Sequence, residues 1–248
     1  MRVEGKVAIV TGGAQGIGRA IALGMGREGA KVVVADLQGS KARAVAGELH
    51  ALGSEAHSVE VDVSKEPTVI ALVKQTLSRF GRVDILVNGA GIYPHSSVPE
   101  MKEEEWDRVI DINLGGNFLC SRGVVPSMRA QKSGRIISIS SRIAHQGALG
   151  GAHYAASKAG IIGFVKALAR ELAPDRITVN AICPGLTDTA LPRATQTEEV
   201  LKERLNRNPL GHALRPEDHV GTVLFLASEA ASYITGQAIN INCGSLML

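Results

Sequence analysis

Seven short β-branched runs recur along the 248-residue chain, at 6–10, 31–36, 56–63, 83–88, 134–140, 176–182 and 237–241. Their β-branched content reads as strands, and the runs at 6–10, 31–35 and 85–87 are almost continuously apolar, as expected of parallel strands covered on both faces. Between them, 17–28, 40–52, 66–79, 104–113, 154–173 and 216–228 carry helical spacing. Strands alternating with crossover helices predict an α/β fold, a doubly wound parallel sheet of about seven strands with helices on both faces. No linker, repeat or low-complexity tract divides the chain, so residues 1–248 are expected to form a single domain. One stretch breaks the rhythm: 187–215 is polar, charge-rich and punctuated by Pro192 and Pro209. A substrate-covering insert is one reading of it, and a solvated surface helix is the other.

The first strand runs into a glycine turn, VTGGAQGIGRA, with Gly12, Gly13, Gly16 and Gly18. Such a turn brings backbone N–H groups and a helix N-terminus up to a pyrophosphate. Its spacing, G-x-x-x-G-x-G, differs from the common G-x-G-x-x-G. Its place in a βαβ unit strengthens it, because the second strand ends in Asp36, eighteen residues beyond Gly18. A carboxylate there accepts hydrogen bonds from ribose hydroxyls and repels a 2′-phosphate. Leu37 and Gln38 supply no cation to welcome that phosphate, and Gln15 in the turn is neutral. NAD is therefore expected in preference to NADP.

Farther along, HYAASKAG (153–160) sets Tyr154 four residues ahead of Lys158, on one face of a helix. A free phenol has a pKa near 10, and a neighbouring ammonium favours the phenolate. Alone, the spacing is also that of an ordinary helix. Ser141, thirteen residues before Tyr154, ends a strand at the sheet edge where doubly wound folds bind ligands, and its hydroxyl could polarise a carbonyl.

TGGAQGIG at 11–18, Asp62 at the end of the third strand, NGAG at 88–91, Asn113, Ser141, Y-x-x-x-K and Pro184–Gly185 stand in an order and spacing that resembles the short-chain dehydrogenase/reductase family over nearly the whole length. The resemblance implies a Rossmann-type fold and a hydride transfer between a nicotinamide and a secondary alcohol or its ketone. It makes Tyr154 the general acid/base, with Lys158 lowering its pKa and binding the nicotinamide ribose. Ser141 would orient the carbonyl, and Asn113 would hold a water linking Lys158 to solvent. Around the cofactor it implies Gly12, Gln15, Gly16, Ile17 and Gly18 at the pyrophosphate, Asp36 and Leu37 at the adenosine ribose, and Asp62 with Val63 at the adenine. Asn88, Ala90 and Gly91 would run past the cofactor, and Pro184, Gly185, Thr187 and Thr189 would hold the carboxamide side of nicotinamide. The chain departs from the family at Gly89, usually Asn, and at INCGS (241–245), usually containing D-G-G.

Composition narrows the alternatives. A net charge of +3 and 3% aromatic residues give little support to nucleic-acid or membrane-surface binding. Cys120, Cys183 and Cys243 are scattered without a metal-ligand spacing, so no metal site and a reduced, cytoplasmic setting are expected. For the substrate, Tyr93, His95, Arg142, Ile143, Gly151, Leu186 and Arg193 are pocket candidates. A polyol, a sugar-derived compound or an anionic hydroxy compound would suit them. Arg142, His145, His153, Arg193 and His95 could ring the mouth and bind an anion, or be plain solvated loop residues. His153, next to Tyr154, has no role of its own in the sequence. The abundance of apolar residues on 154–173 suggests a helix shared with other subunits, and the resemblance implies a homotetramer. Two other functions fit less well: an NADPH-linked 3-oxoacyl-(acyl-carrier-protein) reductase, opposed by Asp36, and a non-catalytic dinucleotide sensor, opposed by the complete Asn113–Ser141–Tyr154–Lys158 set.

Overall fold

The computed structural model describes residues 3–190 and 208–248; most of the predicted insert, Arg193 included, lies outside the described residues. Seven strands form one parallel sheet in the order β3-β2-β1-β4-β5-β6-β7. They are β1 (Val7–Thr11), β2 (Lys31–Asp36), β3 (Ala56–Glu60), β4 (Ile85–Asn88), β5 (Gly134–Ile139), β6 (Ile177–Pro184) and β7 (Ala238–Ile241). The continuous apolar runs are explained by the sheet's two covered faces. Alternate residues feed two separate cores: Ala8, Val10, Val32 and Val34 enter one, while Ile9, Val33 and Ala35 enter the other.

The first core is closed by α1 (Gly16–Arg27), α2 (Gly39–Ala51) and α8 (Val220–Ala227), through Ile21, Met25, Leu49 and Val223. The second is closed by α3 (Glu66–Phe80), α5 (Gly116–Gln131) and α7 (Ala152–Leu172), through Leu72, Met128, Ile161 and Leu172. Short α6 (Ile143–Gln146) joins β5 to α7.

Three predicted elements are corrected. The helix expected over 104–113 is α4 (Glu103–Ile110) followed by a π turn, Asp111–Gly115, that leads straight into α5. The strand expected over 56–63 ends at Glu60, the last residue that the neighbouring Asp36 can pair. The helix expected over 216–228 is a 3-10 turn, Pro216–His219, continued by α8. Of the apolar residues on α7, Ile161, Ile162, Val165 and Leu172 are buried within the chain and Phe164 and Leu168 are half-buried, while Ala156, Ala159, Gly163, Lys166 and Ala167 face outward.

Candidate active site

Strand order reverses between β1 and β4, which opens a crevice at their carboxyl ends. Thr11 of β1 faces Asn88 of β4, so the turns that follow them meet. A Cβ on Gly12 would lie 2.8 Å from the Ala90 backbone, and one on Gly18 would lie 2.1 Å from Gly12 O. Gly16 has φ +53° and lies against Thr189. The same crowding explains Gly89. Its N–H donates to Thr11 O at 3.1 Å, and a Cβ there would meet that oxygen at 2.7 Å.

A cavity of about 370 Å³ follows from this crevice. At one end its wall is Gly12, Gln15, Gly16, Ile17 and Gly18, where α1 starts without a side-chain cap among the described residues. The first N–H groups of α1 are thus available to an anion beside glycines that admit close approach. Asp36 and Leu37 lie on the same wall. The Asp36 carboxylate accepts Ala14 N–H at 3.0 Å on one oxygen and Gln38 N–H at 2.9 Å on the other. Each oxygen keeps a lone pair for a further donor. Asp62, Val63, Ala90 and Gly91 complete this region. Asp62 is fixed by accepting both the N–H and the hydroxyl of Ser64, at 3.0 and 2.7 Å. These glycines, the uncapped helix start and the carboxylate fit a dinucleotide.

Ser141, Tyr154 and Lys158 line the other end of that cavity. Lys158 Nζ lies 5.6 Å from the Tyr154 ring centroid and donates to Ile139 O at 2.8 Å. Ser140 Oγ donates to the main-chain oxygen of Lys158 at 2.8 Å, tying β5 to α7. Ser141 Oγ accepts Ile143 N–H at 3.2 Å, which leaves its O–H as a donor. Burial raises the Tyr154 phenol to about 12, with the Ser141 hydroxyl pulling it down and Tyr93 adding to the rise. Burial likewise brings Lys158 down to about 8, while Cys183 opposes the change. The helical spacing predicts a phenol acidified by its lysine; in the folded pocket, loss of solvent is the largest influence on the phenol, and it acts in the opposite direction.

Asn113 is fully buried behind this end. Its side chain clamps Ile92, accepting the N–H at 2.9 Å and donating to the C=O at 3.0 Å. It also donates to Ser157 Oγ at 3.1 Å, and its own C=O accepts Asn117 Nδ2 at 2.8 Å. The π turn, a form common at functional sites, carries Asn113 into this position.

Pro184, Gly185, Leu186, Thr187 and Thr189 form the facing wall. A Cβ on Gly185 would lie 2.7 Å from Asn242 Cα, and Gly185 N–H donates to Ile241 O at 2.8 Å. The INCGS segment therefore braces this corner from behind. Both ends of the predicted insert are pinned together there, by a Thr187–Leu214 bridge and by Asp188 N–H donating to Leu214 O at 2.8 Å.

Tyr93 stacks on Tyr154, with centroids 4.1 Å apart and planes 25° from parallel. Ile143 joins the two rings in a small apolar cluster, and Arg142 also lines the cavity. Other sequence candidates sit elsewhere. Asn88 is directed to α5, donating to Ser121 Oγ at 3.2 Å, and is not on the cavity wall among the described residues. His95 packs on the far side of Tyr93, 5.2 Å between centroids, and Gly151 lies behind the Tyr93 hydroxyl. His145 is exposed beside Cys183, and His153 is fully buried rather than at the mouth. Gln38, Arg108, Ile112 and Ser140 line the cavity without having been candidates. Arg108 near the end of α4 and Ile112 in the π turn stand four residues apart beside Asn113; that spacing is in the sequence, but the direction these elements face is not.

Among the described residues no cluster of His, Cys, Asp or Glu could hold a metal, and no helix is long and apolar enough to cross a membrane. A family model described as short chain dehydrogenase matches residues 6–200. The chain is 45% identical to a 3-oxoacyl-(acyl-carrier-protein) reductase of Synechocystis sp. over 98% of its own length and 97% of the relative's. It is 44% identical to one from Staphylococcus epidermidis and 40% identical to one from Thermotoga maritima, each over 98% of this chain and 99% of the relative. The chain belongs to the short-chain dehydrogenase family, oxidoreductases that use a nicotinamide dinucleotide.

Proposed function

We propose that this protein is an NAD(H)-linked reductase of 3-oxoacyl thioesters, working as a single catalytic domain. One observation carries the reading: the glycine turn and Asp36 share a cavity with Ser141, Tyr154 and Lys158. The names of the relatives supply the acyl class of substrate. The product, a 3-hydroxyacyl thioester, is itself a secondary alcohol, so the atoms that react are those expected from the sequence. Asp36 supports NAD(H), because its charge opposes a 2′-phosphate and its free lone pairs suit ribose hydroxyls.

When bound, the nicotinamide supplies the hydride for the ketone carbon. The chain's task is then to place the ketone and manage one proton. Ser141 donates its O–H to the ketone oxygen, where negative charge develops. Tyr154 donates the proton that turns that oxygen into a hydroxyl. A phenol held at about 12 is fully protonated at neutral pH, the state a reductase needs in its acid. Lys158, with its Nζ 5.6 Å from the Tyr154 ring centroid, would bind the nicotinamide ribose, while Asn113 fixes Ile92 and, through Ser157, the turn that carries Tyr154. The homotetramer implied by the family resemblance belongs to the same proposal; a monomer by light scattering at micromolar concentration would contradict it.

Tyr154→Phe tests the assignment. It keeps the ring and its stacking on Tyr93 and removes the proton, so kcat should fall by about 10²–10⁴ with NADH binding retained. Unchanged turnover would remove Tyr154 from the chemistry.

A further inference from the structure

Tyr154 lies on the first turn of α7, and that turn has an unusual start. Its cap position is Gly151, which has no side chain to accept the first N–H groups of the helix. A Cβ there would lie 2.8 Å from the Tyr93 hydroxyl. A Ser, Thr, Asp or Asn cap would therefore displace the ring that stacks on Tyr154. One N–H that such a cap serves, three residues on, is Tyr154's own. It donates instead to Nδ1 of His153, at 2.9 Å.

A ring nitrogen that accepts a hydrogen bond carries no proton, so neutral His153 holds its proton on Nε2. That nitrogen lies 3.2 Å from Glu105 Oε1 on α4. His153 is fully buried and Glu105 partly so. The other main-chain group of Tyr154 is also taken: its C=O accepts Ser157 Oγ at 2.8 Å, and that oxygen accepts Asn113 Nδ2. Both polar groups of the Tyr154 backbone are thus tied to side chains, and through them to α4 and the π turn.

We propose that His153, oriented by Glu105, is a positioning residue for the reaction: it replaces the missing helix cap and sets where the Tyr154 phenol sits. The inference rests on the acid role proposed for Tyr154. Its action is through the Tyr154 N–H, with no contact to substrate or cofactor.

Two isosteres separate the two ring nitrogens. In His153→Asn the amide oxygen takes the place of Nδ1 and keeps the cap; in His153→Gln the amide nitrogen takes the place of Nε2 and the cap is lost. The Gln variant should lose about tenfold in kcat, with KM and the NADH dissociation constant within about twofold of wild type. The Asn variant should keep at least roughly a third of wild-type kcat. Glu105→Ala, at a partly exposed site, should lose about threefold in kcat with NADH affinity unchanged. Amide hydrogen exchange at Tyr154 in the full-length protein should speed up in the Gln variant and stay slow in the Asn variant. Equal kcat losses in Asn and Gln, full activity in Gln, or full activity in Glu105→Ala would each overturn the proposal. If wild type reduces no 3-oxoacyl thioester, the substrate reading has failed; the exchange measurement still tests the cap, and kcat is read on whichever ketone is turned over.

Discussion

Lys158 is 4% exposed, and its ammonium donates to Ile139 O. Burial brings its pKa from 10.5 down to about 8. At about 1.4 kcal/mol per pKa unit, that difference sets the cost of keeping the charge in the pocket at about 3 kcal/mol. Lys158→Met removes this cost and keeps most of the stem's volume. It also strands the Ile139 carbonyl, which costs about 1–2 kcal/mol. The variant should therefore be more stable than wild type by about 1–2 kcal/mol at pH 7, a rise in Tm of about 2–6 °C. Its reductase activity should be lost. The sign can be checked with pH. Below pH 8 the lysine is charged in both folded and unfolded chains, and the folded state bears the full cost. Between pH 8 and 10.5 the folded lysine gives up its proton while the unfolded one keeps it, so wild-type stability rises along this window. The Met variant has no such contribution, so its advantage should shrink from pH 8 to 10.5. Scanning calorimetry of both proteins at pH 7 and 10 measures the difference. A Met variant less stable than wild type at pH 7, or an advantage unchanged at pH 10, would refute the reasoning.

Three other outcomes follow from the same geometry. Asp36→Asn removes the charge at the ribose end and keeps one acceptor; the kcat/KM ratio of NADPH to NADH should rise about tenfold, and an unchanged ratio would count against its role in cofactor choice. Gly18→Ala would place a Cβ 2.1 Å from Gly12 O; urea unfolding should show a loss of about 1–3 kcal/mol, with NADH fluorescence titration showing weakened binding. Because Tyr154 titrates at about 12, alcohol oxidation, which needs the phenolate, should accelerate with pH through 8–10, whereas ketone reduction should show no loss attributable to this phenol there. Parallel pH profiles in the two directions would contradict that assignment.

The sheet was legible because its strands are buried on both faces, which leaves runs such as VAIV and VVVA without alternation. Helix α5 was not, because Gly116, Gly123 and Pro126 interrupt its apolar spacing while packing against β4 and β5 overrides their low propensity. The π turn is invisible in sequence, since it depends on the chain continuing from α4 into α5 rather than on any residue type. The groups proposed to react were readable from their spacing, but the environment that shifts their protonation was not. Burial is the largest influence on the Tyr154 phenol, and no spacing rule reports burial. Gly89 illustrates the same limit: as a departure from a family pattern it had no explanation, and the approach of Thr11 O supplies one. The sequence offers no role for His153; the one proposed above rests on its two ring nitrogens meeting separate partners.

The central claim is tested most directly by the initial rate of NADH oxidation with a 3-oxoacyl thioester, compared with NADPH and with simple ketones matched in length. The account predicts turnover that is fastest with the thioester and NADH. Preference for NADPH, or equal rates on a ketone lacking the thioester, would contradict it.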